Sequence, residues 1–148
     1  TSGEVEIRPA KPGDGKMLWG LAEDYLASQV ELGAPDQRKI LAVCMKYGIE
    51  HDEAVLVAED DELLVGFVAW THLPDAADGE VVAAGTYVAP DYRERGISNA
   101  LRAAAKDRCR EKGYQFVSGT VLTENHAGVQ AVASSGGKIV GYIVRYDL

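Results

Sequence analysis

Cysteine and histidine are scarce in this sequence, which leaves few ligands for a metal and few partners for a disulfide. The 148 residues include two cysteines, Cys44 and Cys109, and three histidines. The cysteines lie 65 residues apart in helix-like segments, a spacing that fits neither a zinc knuckle nor the disulfide framework of a small secreted domain. We therefore expect two reduced, buried cysteines and no metal site.

Long apolar runs are also missing. A membrane-spanning helix needs about 20 consecutive apolar residues, and no stretch of this sequence approaches that length. The first residues lack the basic and then apolar pattern of a secretory signal peptide, and no internal repeat is visible. These absences predict a protein without a membrane partner, and the cytoplasm is its expected location.

Basic residues are in the minority. The chain has 23 acidic and 15 basic residues and a net charge of −8, which argues against duplex nucleic acid as a partner because contacts to phosphates supply most of that affinity. The basic residues are unevenly placed, since residues 93–112 hold seven of them against three acidic ones. A small polyanion is therefore the partner expected at that segment.

The overall amino-acid composition is that of an ordinary globular domain. Apolar residues make up 47% of the chain and charged residues 26%, close to the usual globular mixture. A chain of this length can bury a core without disulfides or a structural metal. We expect a single domain spanning residues 1–148.

Hydrophobic periodicity predicts the order β, α, α, β, β, β, α, β, α, β. The strands at 81–89 and 115–122 are joined by a helix, so we expect them to be parallel, whereas the short turns upstream, including a predicted hairpin turn at residues 60–62, favour antiparallel pairs. The predicted helices cover residues 16–30, a segment from about Pro35 to a stop at Gly48, residues 97–112 with a stop at Gly113, and residues 126–135. The last segment, 138–148, is predicted as a strand or a bent pair of strands.

The segment "VAPDYRERGISNAL", residues 88–101, has the features of an anion site. Gly96 permits unusual backbone angles, so that N–H groups from about Arg95 to Ser98 can point outward at a helix start. The helix dipole there favours a negative charge by roughly 0.3–1 kcal/mol, and Arg93 and Arg95 add forked donors suited to phosphate. From the residues alone, an ordinary strand-to-helix turn with solvated arginines is an equal alternative.

The same segment resembles motif A of the GNAT superfamily of acyl-CoA-dependent N-acetyltransferases, in which a strand precedes R/Q-x-x-G-x-G/A and a helix. Here the match is Arg93-Glu94-Arg95-Gly96-Ile97-Ser98, with serine in place of the usual glycine or alanine. The resemblance implies that the loop holds the pyrophosphate of coenzyme A and that the end of the strand binds the pantetheine arm. The implied binding residues are Tyr87, Val88, Arg93, Arg95, Gly96, Ile97, Ser98 and Asn125.

The element order also matches this family, which implies a mixed α/β (α+β) fold. Its central sheet is expected to be mostly antiparallel, with one parallel pair of strands joined by the motif A helix and with helices on both faces. Residues 124–142 resemble motif B, whose asparagine is Asn125. Gly137 replaces the aromatic residue that usually follows the motif B glycine.

The groups for acid–base chemistry are less evident. Many family members have a tyrosine seven residues after the motif B asparagine to protonate the leaving thiolate, and here that position is Val132. Tyr142 or Ser134 could substitute, or solvent could serve, because a thiolate with a pKa near ~8.5 is a good leaving group. For the base, Glu80 opens the strand before motif A, and His72 and His126 are the alternatives.

We therefore expect an N-acetyltransferase that moves an acetyl group from acetyl-CoA to a primary amine by direct attack in a ternary complex. A non-catalytic acyl-CoA-binding module and a generic nucleotide-binding protein are the alternatives. Seven acidic residues on and around the first two helices favour a cationic acceptor, and the apolar last segment, 138–148, is compatible with a homodimer. The acidic residues are Glu23, Asp24, Glu31, Asp36, Glu50, Asp52 and Glu53.

Overall fold

The computed structural model of the protein describes residues 4–148, and these form one five-stranded sheet with four α-helices. The helices are α1 (Gly15–Glu31), α2 (Arg38–Glu50), α3 (Ile97–Glu111) and α4 (His126–Ser134). The strands are β1 (Glu6–Pro9), β2 (Ala54–Asp60), β3 (Leu63–Thr71), β4 (Glu80–Val88) and β5 (Phe116–Ser118). Single 3-10 turns lie at Pro12–Asp14 and Pro90–Tyr92.

The strands lie in the order β1-β2-β3-β4-β5. The first four are antiparallel to their neighbours, and β5 is parallel to β4. This result confirms the predicted mixed sheet. A chain can reach a parallel neighbouring strand only through a crossover connection, and α3 is that connection between β4 and β5. The predicted hairpin at residues 60–62 is also present, as β2 and β3.

Side chains alternate between the two faces of the sheet, and each face has its own hydrophobic cluster. On β2, Leu56 packs in the cluster that includes α3, whereas Val57 packs in the cluster that includes α1 and α2. Phe67 and Leu101, both 0% exposed, are the largest fully buried side chains of the two clusters. Helices therefore cover both faces of the sheet, as the family resemblance implies.

The predicted stop of α2 at Gly48 is wrong, because the helix continues to Glu50. Gly48 is buried within the helix, and a Cβ atom there would lie 2.3 Å from Val55 Cγ2 and 2.6 Å from Thr71 Cγ2. The glycine therefore allows α2 to approach the sheet closely. By contrast, Gly113 follows the end of α3 with a φ of 85°, which agrees with its predicted role as a helix stop.

The prediction of a terminal strand at 138–148 is also wrong, since no strand or helix follows Ser134 in the described residues. The preceding strand is shorter than predicted, Phe116–Ser118 instead of 115–122. A strand persists only where a neighbour accepts its hydrogen bonds and covers one of its faces. No described element does so for residues 138–148, which are exposed throughout.

Both cysteines are free and buried, as expected. Within residues 4–148, no group of three or more His, Cys, Asp or Glu side chains is arranged to hold a metal ion. No helix in that same range combines the length and the apolar character that crossing a membrane requires.

Candidate functional site

The two parallel strands separate along their length. β5 pairs with β4 only at Glu80, Val81 and Val82. Gly119 still lies against the sheet, because a Cβ atom there would be 3.1 Å from Ala83 Cβ. Beyond this point β4 continues to Val88 without a β5 partner in the described residues. The backbone edge of β4 is therefore available to an extended ligand on that side.

A β-bulge lies in the middle of β4. Ala83 is paired with Trp70 and Gly85 with Ala69, so Ala84 is an extra residue with no partner in the register. Such bulges bend and twist a strand and are common beside active sites. Here the bulge occurs next to the point where β4 and β5 separate.

After β4 the chain forms a compact loop that leads into α3. Glu94 and Gly96 have positive φ values, 63° and 79°, and no side chain caps the helix. The first i to i−4 hydrogen bond is donated by Ala100 N to Gly96 O, at 3.0 Å. The N–H groups of residues 96–99 thus precede the helical bonding pattern, and together with the helix dipole they favour an anion.

The residues that carry these N–H groups line a groove of ≈ 300 Å³. Its lining residues are Val88, Tyr92, Arg93, Glu94, Gly96, Ile97, Ser98 and Asn99. The groove thus contains five of the eight predicted coenzyme-binding residues. Ile97 is 7% exposed and packs in the α3 cluster, so the first residue of the helix is anchored in the core.

The two predicted phosphate-binding arginines flank the groove, and neither forms an ion pair within residues 4–148. Arg93 Nε donates to Val88 O at 3.0 Å, and its guanidinium lies 5.3 Å from the centre of the Tyr87 ring. Arg95 donates to Asp91 O at 3.0 Å and lies 4.8 Å from the Tyr92 ring centre. Both charges thus lack an ion-pair partner among the described residues, and the Val88 carbonyl accepts its side-chain hydrogen bond from Arg93.

A buried carboxylate supports the same loop. Tyr92 donates a hydrogen bond from its hydroxyl to Asp60 Oδ2 at 2.6 Å, and Asp60 is 3% exposed at the end of β2. This bond raises the pKa of Tyr92 above its ordinary value. Since the Arg95 guanidinium lies over the Tyr92 ring, the contact fixes both the 3-10 turn and one wall of the groove.

Helix α3 carries a third cation near the groove, Arg102. Ser98, Arg102 and Lys106 follow one another at four-residue steps and therefore lie on one side of the helix. Burial lowers the pKa of Arg102, and no carboxylate among the described residues pairs with it. One turn beyond Ser98, this arginine provides a further positive charge along the same face.

Asn125 stands at the start of α4, beyond β5. Its Oδ1 accepts a hydrogen bond from Gly128 N at 3.0 Å and so caps the helix. Gly128 fits closely against this side chain, since a Cβ atom there would lie 2.6 Å from Asn125 Nδ2. The cap leaves the amide N–H2 group of Asn125 without a partner in residues 4–148, and this group is the donor available to a ligand.

Comparison with known proteins identifies the family of the chain. A model of the Acetyltransferase (GNAT) family matches residues 18–131, more than half of the chain. The chain belongs to the GNAT acetyltransferase family. It is therefore an acyltransferase, and residues 18–131 include the loop described above. No curated protein matches the chain by sequence.

Solved structures share the GNAT fold with this chain. The aminoglycoside N-acetyltransferase AAC(6')-Iy, in complex with the bisubstrate analogue CoA-S-monomethyl-acetylneamine, is 20% identical over 99% of each chain, with a TM-score of 0.76. Ard1 from Thermoplasma volcanium is 21% identical over 93% of this chain and 84% of its own, with a TM-score of 0.73.

A third structure is diaminobutyrate acetyltransferase EctA from Paenibacillus lautus, in complex with L-2,4-diaminobutyric acid and coenzyme A. It is 23% identical over 89% of this chain and 74% of its own, with a TM-score of 0.68. At these identities the likeness concerns the fold of the GNAT domain.

The predicted base, Glu80, lies at the end of the GNAT sheet that is far from Gly96. Its carboxylate accepts a hydrogen bond from Ala77 N at 3.3 Å, and its carbonyl oxygen is 2.6 Å from His72 Nδ1. The His72 ring stacks on Tyr114 at 5.0 Å. The structure therefore brings Glu80 and His72 together, at the beginning of β4. The role of Glu80 as the base stays a prediction.

The predicted proton donors are not brought to the groove. Tyr142 is 93% exposed in the segment after α4, and Ser134 Oγ donates to Ala131 O within its own helix at 3.3 Å. Val132, which occupies the usual tyrosine position, is half-buried on α4, and His126 is exposed at its first turn. The proton donor of this GNAT domain thus stays a prediction.

The other face of β4 borders a cluster of aromatic side chains. The Tyr25 ring meets Phe67 edge-on at 6.0 Å and Tyr87 at 6.3 Å. It also lies against Gly85, where a Cβ atom would be 3.0 Å from Tyr25 Cε2. Burial raises the pKa of Tyr25, so its hydroxyl stays protonated. This cluster lies on the α1 side of β4, the strand that contains the bulge.

The contact between Asp60 and Tyr92 is missing from the sequence prediction. Asp60 is read there only as a residue of the hairpin turn, and Tyr92 has no assigned role. The two residues lie 32 positions apart, and no local pattern joins them. The one available signal is that Asp60 directly continues the apolar β2 segment, where an acidic residue is buried only with a partner.

Proposed function

We propose that the protein is an N-acetyltransferase that transfers an acetyl group from acetyl-CoA to a primary amine of a small molecule or peptide. The observation that carries this proposal is the uncapped start of α3 beside Arg93 and Arg95, at the end of a strand with an open edge. That arrangement provides donors for a pyrophosphate and backbone for a pantetheine arm. The coenzyme complexes of similarly folded proteins support the same donor.

The proposed binding residues have distinct parts. The N–H groups of Gly96, Ile97 and Ser98 hold the pyrophosphate, and Arg93 and Arg95 neutralise its charge. Arg93 must leave Val88 O when the ligand binds, which frees this carbonyl for the pantetheine amide. Tyr87 and Asn125 border the arm on its two sides.

The reaction we propose is a direct attack in a ternary complex. The neutral amine nitrogen attacks the thioester carbonyl carbon, a tetrahedral oxyanion forms, and the C–S bond breaks as the thiolate leaves with the electron pair. The amine loses one proton, and the thiolate gains one from a donor or from solvent. Glu80 as the base and Tyr142 as the acid are the proposed participants. A cytoplasmic location remains a prediction.

We propose that the acceptor is a cationic amine that binds beside Tyr25 and Tyr87, on the α1 side of β4. Five of the seven acidic residues near α1 and α2 already have basic partners, which leaves Asp24 and Glu31 for a second amino group. The five paired residues are Glu23, Asp36, Glu50, Asp52 and Glu53. The amines bound in AAC(6')-Iy and EctA complexes support an acceptor of this class.

The proposed acetyl-CoA site is tested by comparing the variants Gly96→Asp and Gly96→Asn. Both side chains tolerate a positive φ better than other residues do, and a Cβ at Gly96 has no atom within 4 Å. Only the aspartate places a negative charge where the pyrophosphate would lie. We expect Gly96→Asp to abolish acetyl-CoA binding in calorimetry while Gly96→Asn retains it. Equal affinity for acetyl-CoA in the two variants contradicts the assignment.

Activity is tested by thiol release from acetyl-CoA in the presence of amines. Diamines and aminoglycosides are expected to react, and neutral monoamines to react weakly. The specific alternative is a non-catalytic acyl-CoA-binding module, which is favoured by Val132 and by the exposure of Tyr142. Tight acetyl-CoA binding without thiol release on any amine would establish that alternative.

A further inference from the structure

The hydroxyl of Tyr25 has no hydrogen-bond partner among the residues that the structure describes. The Tyr25 ring packs edge-on against Phe67 and Tyr87, and a phenylalanine would make the same contacts. A hydroxyl that is partly withdrawn from water costs free energy unless it is hydrogen-bonded, and buried tyrosine hydroxyls usually have a partner. Packing alone therefore does not account for a tyrosine at this position, and its hydroxyl is available to a ligand.

The strand next to the ring is shaped to let it approach. A Cβ atom at Gly85 would lie 3.0 Å from Tyr25 Cε2 and 3.2 Å from Cζ, the carbon that carries the hydroxyl. Ala84, the extra residue of the β-bulge, packs in the same cluster as Tyr25. Two consecutive residues of β4 thus face α1, which the regular alternation of a strand does not allow. The bulge and the glycine together bring the Tyr25 hydroxyl close to the backbone of β4.

This part of β4 also has an open edge. One edge of the strand pairs with β3 as far as Val88, whereas the other edge pairs with β5 only from Glu80 to Val82 within the described residues. A ligand in the resulting gap lies in the plane of the sheet, so side chains from either face of the sheet can reach it. Tyr25 approaches the gap from the α1 face.

The length of the pantetheine arm places the thioester at the same level, if acetyl-CoA binds as in the proposed function. Val88 lines the groove at the start of α3, so it marks the phosphate end of the arm. Between its phosphate ester oxygen and its sulfur the arm has about twelve bonds, as many as about four residues of backbone, and it spans about 13 Å when extended. Four residues back along β4 from Val88 is Ala84. The thioester is therefore expected beside the bulge, next to Tyr25.

We propose that Tyr25 is a catalytic residue whose hydroxyl donates a hydrogen bond to the carbonyl oxygen of the thioester and to the oxyanion formed from it. When the amine nitrogen attacks the carbonyl carbon, the C=O electron pair moves to this oxygen, and the Tyr25 hydroxyl stabilises the charge without giving up its proton. When the C–S bond breaks, the C=O bond re-forms and the thiolate leaves with the C–S electron pair. The inference rests on the proposed function and assigns one further residue to it.

The surroundings of the hydroxyl suit this role. Burial raises the pKa of Tyr25, so the hydroxyl is neutral near pH 7 and keeps the proton that it shares in the hydrogen bond. Phe67, which is 0% exposed, and Tyr87 hold the ring before the ligand arrives. A donor that is already in place need not be reoriented during the reaction, and this is the condition under which such hydrogen bonds are most effective.

Infrared spectroscopy tests the contact without an acceptor amine. Acetyl-CoA labelled with carbon-13 at the thioester carbonyl is bound to the parent, to Tyr25→Phe and to Tyr47→Phe. Tyr47 of α2 is the matched control, because it is also half-buried and its ring stacks on His51 at 4.0 Å. We expect the carbonyl stretch to lie at lower frequency in the parent and in Tyr47→Phe than in Tyr25→Phe, since a hydrogen bond weakens the C=O bond. The same frequency in all three proteins overturns the proposal.

Dissociation constants separate the carbonyl from the rest of the coenzyme. S-ethyl-coenzyme A has the same pyrophosphate and arm but no carbonyl oxygen. Tyr25→Phe is expected to raise the dissociation constant of acetyl-CoA about two- to tenfold, the usual effect of one hydrogen bond, and to leave that of S-ethyl-coenzyme A unchanged. The melting temperature is expected to stay the same, because phenylalanine keeps the ring contacts. Equal losses of affinity for the two ligands would show an effect of shape and overturn the proposal.

Turnover tests the catalytic part of the role. With 1,4-diaminobutane as the acceptor, Tyr25→Phe is expected to lower kcat about 10²- to 10³-fold, the usual loss when one oxyanion donor is removed, with the KM of the diamine unchanged. The pH profile of kcat should keep its shape, since the hydroxyl does not release its proton. An unchanged kcat overturns the catalytic role.

The outcomes also separate this inference from the proposed function. If the parent does not bind acetyl-CoA, the proposed function fails and the role of Tyr25 fails with it. If the parent binds acetyl-CoA and transfers the acetyl group, but Tyr25→Phe changes neither the carbonyl stretch nor kcat, only the role of Tyr25 fails. If the carbonyl stretch is lowered by Tyr25 but no amine releases the thiol, the contact is confirmed, and its catalytic role is overturned together with the proposed transfer.

Discussion

Tyr92 joins the candidate coenzyme loop to the end of β2, at the turn of the β2–β3 hairpin, through one hydrogen bond from its hydroxyl to Asp60 Oδ2 at 2.6 Å. The other carboxylate oxygen, Oδ1, is buried without a partner. Asp60 therefore depends on Tyr92 for the one side-chain hydrogen bond that its carboxylate accepts in the described residues. Because a buried carboxylate is costly without a hydrogen bond, the stability of the core depends on the loop that positions Tyr92.

The substitution Tyr92→Phe is expected to weaken acetyl-CoA binding and to lower the melting temperature. It removes the one side-chain hydrogen bond that the Asp60 carboxylate accepts from the described part of the chain, and it frees the 3-10 turn on which Arg95 rests. Tyr114→Phe is the matched control, because Tyr114 donates to the 6%-exposed Glu53 at 2.7 Å near the other end of α3. We expect the control to lower the melting temperature and to leave the dissociation constant of acetyl-CoA unchanged. Equal affinities in the two variants contradict this role of Tyr92.

The substitution Gly96→Ala is expected to raise the dissociation constant of acetyl-CoA. A Cβ there meets no atom within 4 Å, so the effect comes from the φ of 79°, which costs an L-residue about 1–2 kcal/mol. The loop relaxes by turning its N–H groups out of position. Gly113→Ala is the control, with a φ of 85° and equal space at the other end of α3. Titration calorimetry should show weaker binding for the first variant only; parallel losses would point to a general effect of strain.

Local sequence patterns predict an element correctly where that element packs against another part of the same chain. The periodicity of residues 16–30 and 97–112 predicts α1 and α3 to within one residue at each end, because each helix has an apolar stripe that packs on the sheet. The N–H groups near Gly96 were also predicted, since glycine at a helix start signals backbone geometry directly.

The errors arise where a contact distant in sequence decides the structure. Gly48 has the sequence character of a helix stop, but the space left by Val55 and Thr71 makes it a packing residue. Residues 138–148 have the pattern of a strand, but a strand requires an edge that sequence alone does not provide. Asp60 and Tyr92 meet only because the sheet brings β2 beside the loop after β4.

Cys109 is expected to make stability fall at alkaline pH. Burial, together with the nearby Glu53 charge, raises the pKa of this thiol from 9.0 to about 11. Below pH 9.0 the thiol is neutral in the folded and in the unfolded state, and its contribution to the free energy of unfolding is fully present. As the pH rises towards 11, the unfolded thiol ionises first, so the contribution of about 2–3 kcal/mol is lost.

Urea unfolding at neutral pH and at about pH 10 measures this change, with Cys109→Ala as the control. The free energy of unfolding should fall less with pH in the variant, since both proteins keep Cys44 and the same tyrosines. Identical pH slopes in the two proteins would falsify the assignment to Cys109.

The ion pair between Arg8 and Asp14 is expected to stabilise the fold near neutral pH and to fail in acid. The Asp14 carboxylate accepts two bonds from Arg8, each 2.9 Å, and one from Lys11 N, and it is 5% exposed. These bonds lower the pKa of Asp14 below 3.8. A carboxylate whose pKa is lowered by folding contributes fully to the free energy of unfolding when the pH is above its pKa in the unfolded state. The contribution is lost as the pH falls through its pKa in the folded state.

Asp14→Asn is therefore expected to lower the free energy of unfolding by about 1.5–3 kcal/mol at neutral pH, the usual range for hydrogen bonds to charged groups. Glu23→Gln is the control, because the Glu23–Arg38 pair is half exposed, 49% and 51%, and such pairs contribute about 0–1 kcal/mol. Below the pKa of Asp14 the parent also loses its carboxylate, so the stability curves of the parent and Asp14→Asn should converge in acid. A constant difference from neutral pH to acid would show that the side chain acts through shape and not through its charge.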